Sequence, residues 1–264
     1  MLLDAISKAG TIALGGHVRP DGDCAGSCMG LYNYVRENFP EKEIDVYLEE
    51  LPNTLKFMKN TDKIRHEVTE EKTYDLFIAL DCGDMGRLGF SAVLFKKAAV
   101  RFCVDHHVSN QSFADQNYIM PDASSTSELI YDLLDYGKMS VETAECLYTG
   151  MVHDTGVFRY SCTHPSTMRA AALMEKGIDF TKIITETFDE KTYAQNQILG
   201  RALLESFLFM DGRCIVSYVT KEEMDFYQVK AKHLDGIVSQ LKLTKGIDVA
   251  IFMYELEHGT FKVS

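Results

Sequence analysis

The chain has 264 residues, enough for two modest domains or one large one, each with its own core. Hydrophobic residues make up 46% and charged residues 25%, which is typical of a soluble globular protein. The formal net charge of −12 argues against a protein that binds long nucleic acid by neutralising its phosphates. The apolar runs are far shorter than a membrane span, so we expect no association with a membrane.

The cysteines predict a reducing compartment. There are seven of them, scattered along the chain without the paired spacing of a zinc finger or a redox motif. The first residues do not resemble a secretory signal peptide. We therefore expect a cytoplasmic protein.

Short apolar strands alternate with helical stretches over the first two-thirds of the chain. This order is typical of an α/β fold with a mostly parallel sheet flanked by helices. The predicted strands cover 11–14, 44–48, 75–80 and 100–104. The predicted helices cover 25–37, 125–136, 141–152, a stretch opened by Pro165 and closed by Gly177, and a long one over 192–209.

The pattern changes after the long helix. Strands are predicted over 213–219 and 247–255, a helix over 234–243, and a turn at His258 that leads into a strand over 260–263. We therefore predict one domain over 1–188, a connecting helix over 189–211, and a smaller α/β domain over 212–264. Because the sequence ends inside this hairpin, we expect the smaller domain to be incomplete.

The first candidate site follows the first strand. Asp21 and Asp23 are two residues apart and share one face in extended backbone, while Gly22 between them permits a tight turn. His17, four residues earlier, can close on the same point. The alternative is a polar turn in which Asp23 is a helix N-cap.

The second candidate site follows the most hydrophobic strand. Asp81 lies at its carboxyl end, where ligands bind in open parallel sheets. The alternative is a loop aspartate that caps the next helix, and Asp84 has the simpler interpretation of a solvated side chain.

Two further candidate sites contain histidine and aspartate together. Asp105, His106 and His107 follow a buried strand, where unpaired polar groups cost several kcal/mol. His153 and Asp154 follow the predicted helix over 141–152. The alternatives are a polar loop for the triplet and, for Asp154, a helix C-terminus closed by Gly156.

These segments together predict a metal site. Histidine and aspartate are suited to Mn²⁺ or Mg²⁺ and are too numerous for one catalytic zinc ion. A pair of ions roughly 3.5–4 Å apart, bridged by a carboxylate, would use them all. Cys24, Cys82 and Cys103 lie nearby, but their odd offsets from the candidate ligands point to opposite sides of extended backbone, so we expect core roles for them.

The set of motifs resembles the DHH phosphoesterase superfamily, which has four ordered motifs. The matching segments are His17-x-x-x-Asp21-x-Asp23, then Asp81, then Asp105-His106-His107, then Asp154-Thr155-Gly156. The spacing and the tail Asp154-Thr-Gly-x-Phe-Arg-Tyr160 are similar to the bacterial branch of oligoribonucleases that also dephosphorylate 3′-phosphoadenosine 5′-phosphate. The resemblance extends over the whole chain.

The resemblance implies roles for individual residues. His17, Asp21 and Asp81 would hold one Mn²⁺, with Co²⁺ or Mg²⁺ as alternatives. The second ion would be held by Asp23, Asp81, His106 and Asp154, with Asp81 bridging. His107 would face the scissile phosphate, and Asp105 would orient a ligating histidine, which we take to be His106. The mechanism also calls for an arginine that offsets charge on the phosphoryl oxygens, for which Arg159 and Arg87 are the candidates; the alternative for each is an ordinary surface residue.

The resemblance also implies a fold, a reaction and alternatives to it. The smaller domain would be of the DHHA1 type, whose glycine-rich Gly-Gly-Gly-His segment is not among these residues. We expect that segment beyond Ser264; the alternative is a protein that has lost this substrate clamp. The reaction would be hydrolysis of short oligonucleotides or 3′-phosphoadenosine 5′-phosphate by water activated between the ions. Other enzymes of the superfamily act on cyclic or linear dinucleotides, pyrophosphate or polyphosphate. A metal-dependent nucleotide-binding protein without catalysis is the alternative of another class, and homodimer formation stays open.

Overall fold

Two β-sheets organise the chain in the computed structural model, which describes residues 1–69, 72–160, 162–257 and 259–264. The chain divides into two units, Met1–Asp189 and Glu190–Ser264. The strands are β1 (Thr11–Gly15), β2 (Glu43–Tyr47), β3 (Ile64–Arg65), β4 (Leu76–Leu80), β5 (Val100–Asp105), β6 (Gln116–Ile119), β7 (Phe207–Phe209), β8 (Cys214–Val219), β9 (Val249–Glu257) and β10 (Thr260–Val263). The α-helices are α1 (Leu2–Lys8), α2 (Gly22–Asn38), α3 (Ala92–Lys97), α4 (Thr126–Leu133), α5 (Val141–Asp154), α6 (His164–Glu175), α7 (Phe180–Ile184), α8 (Tyr193–Leu204), α9 (Lys221–Phe226) and α10 (Ile237–Lys242).

The first sheet has the order β3-β2-β1-β4-β5-β6 and is parallel throughout. The predicted fold class, a mostly parallel sheet flanked by helices, is confirmed. Every residue of β4 is buried, as its continuous hydrophobicity predicts for a strand covered on both faces. The strand order changes direction between β1 and β4, and the carboxyl ends of strands at such a point form the crevice in which α/β proteins bind ligands.

Two edge strands, β3 and β6, have no counterpart among the predicted elements. They are short, and neither is a continuous apolar run: β6 is Gln-Asn-Tyr-Ile, with no fully buried residue. Edge strands are commonly short and polar because an apolar edge would pair with other chains. Hydrophobicity therefore gives little signal for such strands.

Helix α2 is the central helix of the first unit, and its residues from Gly22 to Val35 are all buried. It begins where the Asp21 side chain accepts hydrogen bonds from the backbone N–H groups of Asp23 and Cys24, both at 3.1 Å. The N-cap is thus Asp21. The alternative interpretation of this segment, in which Asp23 is the N-cap, is wrong. Asp23 lies in the first turn of the helix, where its carboxylate is free for other contacts.

Glycines let α2 approach α5 closely. A Cβ atom on Gly26 would lie 2.5 Å from the carbonyl oxygen of Cys146 and 2.9 Å from the backbone nitrogen of Gly150. We expect Gly26→Ala to lower the free energy of unfolding by about 1–3 kcal/mol, because the added methyl group pushes two backbones apart. Urea titrations followed by circular dichroism measure this change.

The control for Gly26→Ala is Gly200→Ala, in α8. A Cβ atom there has no neighbour within 4 Å among the described residues, so only the gain in helix propensity remains, about 1 kcal/mol in favour of alanine. If Gly26→Ala were as harmless as Gly200→Ala, the close helix packing would not limit stability.

The second unit contains a four-stranded mixed sheet with the order β10-β9-β8-β7. Here the structure differs from the predicted helix over 192–209 and from the predicted connecting helix over 189–211. Helix α8 ends at Leu204, and β7 pairs antiparallel with β8 through Phe207, Leu208 and Phe209. These three apolar residues continue the helical pattern of the sequence, but their backbone groups form hydrogen bonds with β8 and not within a helix. The predicted turn at His258 lies outside the described residues.

None of the helices in the described ranges combines the length and the apolar character that a membrane span requires.

Candidate metal centre

Histidine and aspartate side chains converge beyond the carboxyl ends of three neighbouring strands and the end of one helix. His17, Asp81 and His106 follow β1, β4 and β5, and Asp154 is the last residue of α5. Asp21 and Asp23 come from the N-terminus of α2. The predicted ligand residues, which are separated by up to 137 positions, are therefore brought to one place.

His17 faces two carboxylates. Its Nε2 atom lies 3.5 Å from Oδ2 of Asp21 and 3.4 Å from Oδ2 of Asp81. Its Nδ1 atom lies 2.9 Å from the carbonyl oxygen of Val18, so Nδ1 carries a proton and Nε2 is left for the cluster. Burial would lower the pKa of His17, but the two carboxylates raise it to about 11. The same pairing lowers the pKa of Asp21 to about 2, although burial acts in the opposite direction.

Asp81 has one carboxylate oxygen on each side of the cluster. Oδ2 faces His17 at 3.4 Å, while Oδ1 lies 3.6 Å from Nε2 of His106 and 3.6 Å from Nδ1 of His107. The residue is almost fully buried and has a left-handed backbone with φ of 56°. This conformation is uncommon outside glycine, asparagine and aspartate, and it is often found at functional sites.

His106 faces three carboxylates on the other side of Asp81. Its Nε2 atom lies 3.4 Å from Asp154, 3.6 Å from Asp81 and 3.9 Å from Asp23. Its Nδ1 atom lies 3.3 Å from the carbonyl oxygen of Ala123, and the Nδ1 atom of His17 likewise faces the carbonyl oxygen of Val18. In both rings the second nitrogen contacts a backbone oxygen, the arrangement that orients histidines bound to metals.

The cluster has an excess of buried negative charge. Burial raises the pKa of Asp23 well above its ordinary value, and the neighbouring charges of Asp81 and Asp154 raise it further. Burial also raises the pKa of Asp154 to about 6; the charge of His106 opposes this shift and that of Asp81 adds to it. Oxygen and imidazole donors that converge at 3.4–3.9 Å fit divalent cations, which would neutralise this charge.

Asp105 contacts a different histidine from the one we predicted. Its Oδ1 atom lies 2.7 Å from Nδ1 of His107, whereas the Nδ1 atom of His106 faces Ala123. Asp105 and His107 are two residues apart and lie on one side of the chain, and His106 lies on the other. The Asp105 side chain is completely buried and the His107 side chain is 38% exposed, so the pair presents its histidine to the open side.

The two predicted arginines differ in position. The side chain of Arg159 is exposed, and no hydrogen bond or ion pair among the described residues joins its guanidinium group to the cluster. Arg87 is also exposed, but its charge acts on His107, and its carbonyl oxygen accepts a hydrogen bond from the backbone of Val18 at 2.8 Å. Arg87 is therefore the arginine with a contact near the cluster.

Cys24 lies closer to the cluster than its predicted core role implies. Its sulfur belongs with His17 and Asp81 to a group of ligand atoms within 4.8 Å of one another. The expectation for Cys24 assumed extended backbone, but this residue lies in the first turn of α2, where alternation does not apply. Cys24, Cys82 and Cys103 are all completely buried, and burial raises the pKa of each thiol.

The N-terminus of α4 supports two of the carboxylates, which the sequence did not reveal. The backbone N–H groups of Thr126 and Ser127 donate to Asp23 at 2.6 and 2.8 Å, and the Thr126 hydroxyl donates to Asp81 at 3.2 Å. Anions are stabilised at helix N-termini by such free N–H groups. The available signal was the segment Ser125-Thr-Ser-Glu128, which has the pattern of a helix start.

An ion pair between buried Glu128 and partly buried Arg169 holds this helix start in place. Glu128 accepts hydrogen bonds from the backbone and hydroxyl of Ser124 at 2.9 and 2.5 Å and from the hydroxyl of Ser166 at 2.6 Å. Its other oxygen pairs with Arg169, which also binds Asp132 through both carboxylate oxygens. The network links α4 with α6 and holds the residues just before α4, whose N-terminus contacts the cluster.

Comparisons with known proteins find relatives that match most of the chain. The "bifunctional oligoribonuclease and PAP phosphatase NrnA" of Bacillus subtilis is 27% identical over 266 residues, covering 96% of this chain and 80% of the relative. The protein of the same name from Thermus thermophilus is 24% identical, covering 97% and 75%. The crystal structure of an exopolyphosphatase-related protein from Bacteroides fragilis superposes with a TM-score of 0.89 at 25% identity, covering 99% of this chain and 80% of that one.

The family model for the DHH family, N-terminal domain, matches residues 11–151, more than half of the chain. That range contains β1, β4 and β5, whose carboxyl ends carry His17, Asp81 and His106. The chain therefore belongs to the DHH family.

Proposed function

We propose that this protein is a metal-dependent phosphoesterase that hydrolyses short oligoribonucleotides and 3′-phosphoadenosine 5′-phosphate. The observation that carries the proposal is the Asp81 carboxylate, whose two oxygens face different histidines, as a ligand shared by two ions would. The relatives named for these two activities match this chain over nearly its whole length, which supports the substrate class.

The proposed metal ligands form two sets that share Asp81. His17, Asp21 and Asp81 would hold one ion; Asp23, Asp81, His106 and Asp154 would hold the other. Oxygen and imidazole donors favour Mn²⁺, with Co²⁺ and Mg²⁺ as alternatives. When bound, two such ions lower the pKa of a water molecule between them and offset charge on the phosphoryl oxygens.

The protein's own side chains would orient the substrate. His107 is held by Asp105 and partly exposed, so it can donate a hydrogen bond to a phosphoryl oxygen at the open side of the cluster. The charge of Arg87 acts on His107, so Arg87 is better placed than Arg159 to add a positive charge at the open side of the cluster. A hydrogen-bond donor that is already oriented requires little reorganisation as charge develops on the phosphate.

A single assay tests the proposal. Purified protein with Mn²⁺ is given 3′-phosphoadenosine 5′-phosphate, a linear diribonucleotide, a cyclic dinucleotide and pyrophosphate, and the initial rates are compared. We expect the first two substrates to be hydrolysed fastest, and chelation of the metal to stop the reaction. Preference for the cyclic dinucleotide or for pyrophosphate would assign another activity of the superfamily, and binding without turnover would support a regulatory protein.

A further inference from the structure

Asn110 connects two loops of the metal centre through its side-chain amide. The Nδ2 atom donates to Oδ2 of Asp105 at 2.7 Å and to the carbonyl oxygen of Cys82 at 2.9 Å. The Oδ1 atom accepts a hydrogen bond from the backbone N–H of Ser112 at 2.8 Å, which fixes the orientation of the amide. The two loops are the one that carries Asp81 and the one that carries the histidine pair.

The same two loops pack closely at a second point. A Cβ atom on Gly83 would lie 3.2 Å from the hydroxyl of Ser109 and 3.5 Å from Cβ of His107. The absence of a side chain at position 83 thus allows the segment after Asp81 to lie against the segment after His107. Asn110 provides the hydrogen bonds across this contact, and Gly83 provides the space for it.

Both oxygens of the Asp105 carboxylate are engaged. Oδ1 lies 2.7 Å from Nδ1 of His107, and Oδ2 accepts a hydrogen bond from Asn110. Since the Asp105 side chain has no exposed surface, loss of the Asn110 donor could not be replaced by bulk water. The carboxylate would then lose one of the contacts that set its plane, and with it the orientation of the His107 ring.

We propose that Asn110 is a positioning residue, which orients His107 toward the substrate through Asp105. The inference rests on the proposed function, because it takes His107 as the side chain that contacts the scissile phosphate. Asn110 itself contacts neither the proposed metal ligands' side chains nor the open side of the cluster in the contacts described above. Its effect on turnover therefore passes through Asp105.

Two variants of Asn110 measure this effect. Asn110→Ala removes the donor, and Asn110→Asp keeps the shape of the side chain but places a carboxylate oxygen against Asp105. We expect kcat to fall about 10–100-fold in Asn110→Ala, as for other residues that orient active-site groups, and further in Asn110→Asp. We expect bound Mn²⁺ and KM to change little, because the proposed ligands are intact.

A double-mutant cycle with His107→Ala separates positioning from a general structural role. If Asn110 acts through His107, Asn110→Ala should have almost no further effect on kcat in the His107→Ala background. Asn117→Ala is the matched control, because the Asn117 amide also bonds the backbone, at Ala114, and no hydrogen bond in the described part of the chain joins it to the cluster. Its kcat should equal that of the wild type.

The outcomes that contradict the positioning role differ from those that contradict the proposed function. Equal fold-losses in both backgrounds, an unchanged kcat in Asn110→Ala, or loss of bound Mn²⁺ would each overturn the positioning role. If Asn110→Ala proves too unstable to assay, Asn110→Asp replaces it in the cycle. A wild-type protein without metal-dependent hydrolysis would overturn the proposed function and this inference together, whereas an active wild type with uncoupled variants would overturn only the inference.

Discussion

Asp81→Asn should abolish Mn²⁺-dependent phosphate release while the protein stays folded. Asparagine keeps the shape of the side chain and tolerates the left-handed backbone at this position, but it removes the charge that two ions would share. Two-ion stabilisation of a phosphoryl transition state contributes several kcal/mol, so we expect kcat/KM to fall by about 10³-fold or more. Asp81→Ala should be at least as inactive, and its backbone is less well suited to this conformation.

Metal binding to the same variant can be measured without an activity assay. Ions that bind only the folded protein raise its unfolding temperature, so Mn²⁺ should stabilise the wild type and have a much smaller effect on Asp81→Asn. The metal-free variant should stay folded, because the charge of Asp81 stabilises the charged form of His17 but opposes ionisation of Asp23 and Asp154, so its removal has effects of both signs.

Asp84→Asn is the matched control for Asp81→Asn. Asp84 follows the same strand and accepts hydrogen bonds from the backbone of Gly86 and Arg87, a capping role that asparagine also fulfils. Activity and Mn²⁺ binding should be those of the wild type. Unchanged turnover in Asp81→Asn would exclude a shared ligand at this position and the two-ion mechanism with it.

His107→Ala should lower turnover much more than it lowers metal content. The His107 ring is held by Asp105 and is more exposed than that of His106, whose Nε2 atom faces three carboxylates. Loss of one oriented donor to the developing charge costs about 10²–10³-fold in kcat. Bound Mn²⁺, measured by mass spectrometry after gel filtration, should stay within the error of the wild-type value.

The control for His107→Ala is His66→Ala. The His66 ring is also partly exposed and also contacts a carboxylate, that of Glu50, with its other nitrogen near the backbone oxygen of Leu48, but it is not part of the cluster. Its removal should leave both kcat and metal content unchanged. Equal losses of turnover and metal in His107→Ala would instead make His107 a metal ligand. The test is needed because the His107 ring lies close to Asp81.

Some predictions failed where local sequence patterns have no unique structural meaning. The apolar run Phe207-Leu208-Phe209 continues a helical pattern, yet it forms an edge strand because β8 offers unpaired backbone groups. Asp105 was assigned to His106, its direct neighbour, although the spacing of two to His107 places that ring on the same side of extended backbone. The role of Arg159 stays a prediction: it belongs to a recognisable motif, and no contact among the described residues joins its guanidinium group to the cluster.

The sequence alone determined the parallel α/β fold and which side chains stand at the strand ends. Buried parallel strands are continuous apolar runs, and the polar residues that follow them must lie at one edge of the sheet. Only the tertiary structure decided which of those side chains meet. The partners of Asp23 and Asp105, at α4 and Asn110, depend on loop paths and helix packing between distant segments, which the periodicity of any one segment does not record.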